Sequence, residues 1–216
     1  MKIRKALISD IKQIARVHVD SWRTAYKGIM SDEYLDNLSC DNRERNWKKR
    51  LFENKESTEF MYVAENEEEK IVGFASADID KEDKQYQGTL YTLYILEPYQ
   101  RIGIGRELVK SVVERLKEDG INSLKLWAFE DNLSRKFYEK LGGKIMGKKV
   151  SKVGDVQLSF CTLPLNIFKG RVQNEKYSLI SVITNWESEK IWRILLTLLS
   201  EFIYMIMTGK MTFIWK

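Results

Sequence analysis

The chain reads as an α/β protein, a mixed central sheet flanked by helices on both faces, with an extra helical tail at its C-terminal end. Three observations predict this. Strand-like runs and 3.6-period helical runs follow one another as β-α-α-β-β-β-α-β-α-β-β over residues 1–165. A glycine-bearing turn joins the strongest apolar strand to the strongest amphipathic helix. From about residue 166 the pattern weakens, and a densely apolar run follows.

The elements can be justified in order. Residues 2–6 form a short opening strand. Asp10 can then cap a helix, with Gln13 three residues later completing a capping-box-like pair. Ile11, Ile14, Ala15, His18 and Trp22 recur at helical spacing and share one face. A second helical stretch covers 31–52, broken near 39–42. Residues 60–64 and 71–79 read as strands joined by an acidic, solvated turn. After a polar connection over 80–88, residues 90–96 are apolar and aromatic enough for a central strand. Leu108, Val109, Val112, Val113 and Leu116 mark an amphipathic helix stopped by Gly120. A strand at 123–129, a helix at 133–141 capped by Gly142-Gly143, and a hairpin over 148–163 around Gly154-Asp155 close the domain.

The second segment, 166–216, contains an apolar run at 191–207. Arg193 and Glu201 interrupt it, so it falls short of the ~20 apolar residues a membrane span requires. An amphipathic docking or dimerising helix is the leading expectation, with a homodimer as the corresponding assembly. Lys190, Arg193 and Lys210 also allow contact with anionic headgroups, the second reading. An appendage without function is the third.

Composition removes several function classes. The 216 residues are 44% hydrophobic and 31% charged, as in a globular protein. The net charge of +5 is spread among alternating acids and bases, so nucleic acid is not an expected partner. Two cysteines, Cys40 and Cys161, and one histidine, His18, are too few for four-ligand zinc chemistry, and no metal is expected. No GxSxG-type nucleophile motif occurs. The N-terminal residues run directly into strand and helix with no apolar leader, which points to a cytoplasmic location and free thiols.

The chemistry concentrates in the glycine turn. Leu93-Tyr94-Ile95-Leu96 leads through Glu97-Pro98-Tyr99 into Gln100-Arg101-Ile102-Gly103-Ile104-Gly105-Arg106. Gly103 and Gly105 lack side chains that would hold a ligand off the backbone. Consecutive N–H groups and the helix dipole suit a diphosphate, with Arg101 and Arg106 able to add charge. A Rossmann turn would place glycine at Leu108 and an acid near Lys125; a Walker loop would need Gly-Lys-Ser/Thr. Both patterns fail.

Gln100-Arg101-Ile102-Gly103-Ile104-Gly105 resembles the Q/R-x-x-G-x-G/A signature of the GNAT family, the GCN5-related N-acetyltransferases. A second block, Asn132-Leu133-Ser134-Arg135-Lys136-Phe137-Tyr138-Glu139-Lys140-Leu141-Gly142, is similar to that family's N-x-x-A-x-x-F-Y-E-K-x-G, with one residue fewer between Asn132 and position 134. Serine stands for alanine at 134 and Gly143 where phenylalanine is usual. The resemblance extends faintly over residues 1–165 and stops before the tail. It implies the GNAT fold, with acetyl-CoA as co-substrate. It further implies that Leu93 and Ile95 lie along the pantetheine arm, that Gln100, Arg101, Ile102, Gly103, Ile104, Gly105 and Arg106 hold the pyrophosphate, and that Asn132 touches the coenzyme. By the same resemblance Tyr138 stands near the sulfur as the acid for the departing thiolate.

Direct acetyl transfer to a primary amine, of a small molecule or a peptide, is the expected activity. It requires a deprotonated amine, a polarised thioester oxygen and a protonated leaving group. The Ile95 N–H is the candidate for polarising the carbonyl. Many family members carry a glutamate near the position of Thr89, whereas residues 87–92 contain no carboxylate. Either a water relay to a distant acid or an amine arriving unprotonated is left as the source of the free base. Cys40 and Cys161 lie outside both motifs, so no acetyl-enzyme is expected. Trp22 and Tyr26 are the candidate substrate contacts, with His18 beside them. The alternative functions are a non-catalytic acyl-CoA sensor and an adaptor recruited to membranes by the tail.

Overall fold

A computed structural model describes residues 1–129, 135–153 and 156–166. The tail helix expected at 191–207 and the candidate coenzyme contact Asn132 lie outside the described residues.

Seven strands form one sheet: β1 (Lys2–Lys5), β2 (Phe60–Glu65), β3 (Ile71–Ile79), β4 (Gly88–Ile95), β5 (Ser123–Phe129), β6 (Gly147–Val153) and β7 (Val156–Asn166). Their spatial order is β1-β2-β3-β4-β5-β7-β6. Every neighbouring pair is antiparallel except β4 and β5, which run parallel. That single parallel step needs a crossover, supplied by α4 (Ile104–Glu118). The remaining helices are α1 (Ile11–Ala25), α2 (Asp32–Asp36), α3 (Cys40–Lys48) and α5 (Arg135–Lys140).

The two faces of the sheet are packed differently. On one face α4 buries Ile104, Leu108, Val109, Val112, Val113 and Leu116 against Val72, Ala75, Leu90, Leu124 and Leu126. This is an aliphatic layer, and each such side chain contributes about 1.5–3 kcal/mol relative to exposure. On the other face α1 and α3 bury Ile11, Ile14, Val17 and Trp47 against Met61, Val63, Ile71 and Phe74.

The start of α1 departs from expectation. Asp10 does not form a capping box with Gln13. Its carboxylate instead accepts from the Leu7 N–H at 2.8 Å and from Arg4 at 2.6 and 3.0 Å. A 3-10 turn at Ile8–Asp10 runs straight into the helix, so Asp10 has helical backbone angles and its carboxylate turns back to the Leu7 N–H instead of capping α1. Gln13 is used elsewhere, its Oε1 accepting from the Ile71 N–H at 3.0 Å. The break expected near 39–42 is real: α2 ends at Asp36 and Ser39 caps α3. A π-helical turn at Lys49–Glu53 extends α3. Of the helix expected at 133–141, the described part is α5.

Candidate active site

The site forms where β4 leaves β5. At its beginning β4 pairs Gly88, Thr89 and Leu90 with Leu124, Lys125 and Leu126. The backbones are so close there that a Cβ on Gly88 would stand 2.8 Å from the Ser123 carbonyl oxygen. A bulge follows at once. Ser76 of β3 pairs with Thr92 and Ala77 with Leu90, leaving Tyr91 as an extra residue on β4. A bulge bends the strand that carries it. Beyond it, residues 91–95 have no strand on the β5 side, while residues 127–129 of β5 keep only β7. The outcome is a wedge, closed at Gly88 and open at Ile95.

Alternation fixes which main-chain groups enter the wedge. The Leu96 N–H donates to the Val72 carbonyl on β3 at 2.9 Å. The N–H and C=O groups of Leu93 and Ile95 therefore point the other way, into the wedge. Gln100 Nε2 donates to the Ile95 carbonyl at 2.9 Å, so that acceptor is already used and the Ile95 N–H is left as a donor.

Past the open end, a 3-10 turn at Glu97–Tyr99 leads into the glycine loop. Arg101 sits at φ 64° and Gly103 at φ 96°, both left-handed. For arginine that conformation costs on the order of 1 kcal/mol, and such strain tends to collect at functional loops. Left-handed residues in a turn gather successive N–H groups into a concave, anion-binding surface. No side chain caps α4. By contrast Ser31 and Ser39 cap α2 and α3, accepting from Tyr34 N–H at 3.3 Å and Asn42 N–H at 3.2 Å. The long helix thus keeps the Ile104 and Gly105 N–H groups and the positive end of its dipole available, while the Arg106 N–H donates to the Gly103 carbonyl at 3.0 Å. The two loop glycines differ in role. A Cβ on Gly103 would meet nothing within 4 Å, whereas one on Gly105 would stand 3.3 Å from Ile95 Cδ1 and 3.4 Å from Phe137 Cζ. Gly103 opens the loop toward solvent; Gly105 lets α4, β4 and α5 pack together. Ile102 is 66% exposed beside them.

Tyr138, on α5, is half-buried against the aliphatic layer, which Leu93 and Ile95 also join, and meets the Phe137 ring edge-on at 5.2 Å. Burial pushes its phenol well above the ordinary tyrosine range, and the neighbouring Tyr94 adds to the shift. It therefore stays protonated at neutral pH.

The opposite wall is aromatic. The Tyr94 ring stacks on His18, with centroids 5.0 Å apart, and meets Phe74 edge-on at 5.6 Å. Trp22 packs on Tyr26 at 4.8 Å, and Tyr26 on Phe129 of β5 at 4.9 Å. The α1 stripe therefore touches both walls of the wedge, β4 through His18 and β5 through Tyr26. Burial raises the Tyr94 hydroxyl pKa, opposed by hydrogen bonding from Tyr26 and Trp22. The Trp22 Nε1 reaches no partner in full hydrogen-bond geometry. Tyr26 is buried and Trp22 half-buried, with Arg43 lying over the indole at 5.2 Å.

The structure thus gathers Leu93, Ile95, Gln100 and the 101–106 loop on one side of the wedge with Tyr138, and sets Trp22 and Tyr26 across it. Tyr94 was not singled out in the sequence, although it links the two groups. Its signal was positional: between Leu93 and Ile95, alternation turns its side chain to the other face. Among the described residues no cluster of His, Cys, Asp or Glu could hold a metal ion. Nor is any described helix long and apolar enough to cross a membrane.

A parallel strand pair splayed by a bulge, with an uncapped glycine-led helix at its mouth, defines a coenzyme-dependent N-acyltransferase fold. The profile of the acetyltransferase (GNAT) family matches residues 19–143. The chain belongs to that family and is an N-acetyltransferase. It is 38% identical over 157 residues to the uncharacterised N-acetyltransferase YuaI of Bacillus subtilis, covering 72% of this chain and 87% of that one. It is 25% identical over 150 residues to a spermidine N(1)-acetyltransferase of Thermoplasma acidophilum, covering 67% and 89%. The PaiA N-acetyltransferase of the same organism, solved in complex with coenzyme A, superimposes with a TM-score of 0.53 at 23% identity, covering 74% of this chain and 96% of that one.

Proposed function

We propose that this chain carries acetyl-CoA in the β4–β5 wedge and passes its acetyl group directly to a primary amine that approaches across the aromatic wall. The observation that carries this reading is the wedge itself. Its Leu93 main-chain groups and Ile95 N–H lie on a strand edge with no neighbouring strand, and its mouth opens onto the uncapped N-terminus of α4. An extended amide-bearing arm suits the first, and a pyrophosphate suits the second. Arg101 and Arg106 stand at the same loop to add positive charge, and Asn132 is carried with them from the motif match. Acetyl-CoA supplies the thioester; the chain supplies position and polarisation.

In this reading the Ile95 N–H donates toward the thioester oxygen, and Tyr138, held protonated by burial, donates toward the sulfur. The acceptor contacts fall to Trp22, with Tyr26 steadying Tyr94 behind it. Cys40 is exposed at the start of α3, outside the glycine loop and α5, which favours direct transfer over an acetyl-enzyme. Its free thiol also suits a reducing cytoplasm. A homodimer through the tail remains a proposal on the apolar pattern alone.

The test is calorimetric titration of the full chain with acetyl-CoA beside a Gly103→Glu variant. A carboxylate and a Cβ at φ 96° both oppose an anion held by the loop. Affinity should fall by about 100-fold or more, the sum of backbone strain and charge repulsion. Equal affinity in the two proteins would overturn the placement, and no binding by the native chain would overturn the co-substrate.

A further inference from the structure

Acetyl transfer in the wedge needs a place for the amine's proton, and residues 87–92 offer no carboxylate to take it. A carboxylate stands two strands away. On the α1 face of the sheet, the apolar layer of Met61, Val63, Ile71 and Phe74 gives way to a file of polar side chains. Glu59 lies just before β2, Ser76 on β3 and Thr92 on β4. Register brings them together. Met61 pairs with Ser76, which sets Glu59 one alternation away on the same face, and Ser76 pairs with Thr92.

The file is continuous. The Ser76 and Thr92 hydroxyl oxygens are 2.8 Å apart, and the Glu59 carboxylate accepts from the Ser76 hydroxyl. An ionised carboxylate can only accept, so the Ser76 proton points to Glu59. Ser76 Oγ then accepts from the Thr92 hydroxyl. Thr92 Oγ1 also accepts from the Ser76 N–H at 3.2 Å, which leaves it one lone pair. Thr92 is half-buried and belongs to the open part of β4, between the Tyr91 bulge and Leu93, where β5 no longer runs alongside. Alternation turns its side chain to the same face as Tyr94, which is the face of Trp22 and Tyr26. One end of the file thus lies in the wedge itself.

The other end suits a proton acceptor. The Glu59 side chain is 5% exposed, and burial raises its carboxyl pKa above the ordinary glutamate value. Arg50 opposes that shift, donating at 2.8 and 2.9 Å, as does the Ser76 hydroxyl, while the Asp78 carboxylate adds to it. The net direction is upward. The charged and titratable groups facing Glu59 are therefore Arg50 from the π-helical turn, Asp78 from β3 and Tyr91 from β4. Asp78 is engaged by the Thr58 hydroxyl and by the Ile79 N–H at 2.8 Å, so it does not take the Ser76 proton. A partner for Arg50 alone would need neither hydroxyl.

We propose that Glu59 is the terminal acceptor of the amine's proton, reached through Thr92 and Ser76. The incoming ammonium group donates to the free lone pair of Thr92 Oγ1. As that N–H bond breaks, an O–H bond forms on Thr92, whose own proton passes to Ser76, and the Ser76 proton passes to the Glu59 carboxylate. The electron pair left on nitrogen attacks the thioester carbon. One ammonium and one carboxylate become one amine and one carboxylic acid, with total charge unchanged. Thr92 meets the substrate; Ser76 and Glu59 act through it. The inference rests on the acetyl-transfer reading, which supplies the amine.

The test follows thiol release from acetyl-CoA by the full chain, over a range of about pH 5 to 10, with two small probes. Ethylamine is an ammonium ion over most of that range, whereas 2,2,2-trifluoroethylamine is already unprotonated at neutral pH. With ethylamine, Glu59→Gln and Thr92→Val should each lower kcat/KM about 100-fold at neutral pH, and Thr92→Ser should keep most of the native rate. The native rate should fall as pH drops through the raised Glu59 pKa. In Glu59→Gln that acid limb should move up to the pKa of the amine itself. With trifluoroethylamine the same variants should stay within a few-fold of the native chain, whereas damage to the fold would slow both amines alike. Equal losses on the two amines, or an acid limb unmoved in Glu59→Gln, overturns the relay. Calorimetry keeps the two readings apart: absence of acetyl-CoA binding sinks acetyl transfer and the relay with it, while binding and turnover with an unmoved profile sink the relay alone.

Discussion

The two faces of β4 differ in how they are built and in what they can do. On the α4 face, Leu93 and Ile95 pack into an aliphatic layer, and the chemistry belongs to the backbone: unpaired amides, an uncapped helix, two left-handed residues. On the α1 face, Tyr94 joins His18, Trp22 and Phe74, and the chemistry belongs to side chains brought from distant parts of the chain. Backbone recognition suits a ligand common to a whole family, since any sequence that makes the turn can provide it. Side-chain recognition suits the acceptor, which differs from one enzyme to the next.

The largest expected effect on stability breaks that comparison at its buried end. An unfolded chain protonates histidine near the ordinary value of 6.5, whereas His18 in the folded chain resists down to about 3. A depressed base favours the folded state above pH 6.5 and loses that contribution as pH falls toward 3. The loss is about 1.4 kcal/mol per pH unit for one proton. Urea melts at pH 7 and pH 5 should therefore differ by about 2 kcal/mol more in the native chain than in a His18→Gln variant. Equal pH dependence would mean that the ring is hydrated and the aromatic face is open.

Tyr138 tests the aliphatic face. Its phenol is kept protonated by burial, and a donor to the leaving group typically contributes about 100-fold or more. Tyr138→Phe keeps the ring and its packing against Phe137. The expected outcome is a kcat about 100-fold lower with unchanged affinity for acetyl-CoA by calorimetry. An unchanged kcat would instead favour a purely structural aromatic, and full function in the cell without turnover on any amine would favour a sensor.

The same division explains what could be read from the sequence. The glycine loop and the α5 motif are local, so Gln100 through Arg106 and Tyr138 were visible as continuous strings. The strand and helix order was legible for the same reason, because each element carries its own period. The wedge was not. It depends on the Tyr91 bulge and on Gly88, whose closeness to Ser123 joins residues 35 apart in the chain. Gly88 read only as part of a polar connection. His18 showed its helical face but not its tautomer, which is fixed by Trp47 from another helix. Asp10 and Gln13 matched a capping pattern, yet each found a better partner, Arg4 and the Ile71 amide. Local capping lost to tertiary contacts.

The smallest effect concerns the hinge between motif and wedge. Gln100 and Ile95 are both implied as coenzyme contacts, and the structure joins them, the side-chain amide donating to the Ile95 carbonyl at 2.9 Å. The bond therefore ties the glycine loop to the open end of β4. Gln100 is exposed, so losing it costs about 1 kcal/mol at most, the net worth of one hydrogen bond with water able to replace it. Gln100→Ala should raise the KM for acetyl-CoA by about fivefold and leave kcat within a factor of two, roughly. A drop in kcat equal to the rise in KM would show that the tie positions the Ile95 N–H itself, and that the backbone face is set by side chains more than the contrast between the two faces allows.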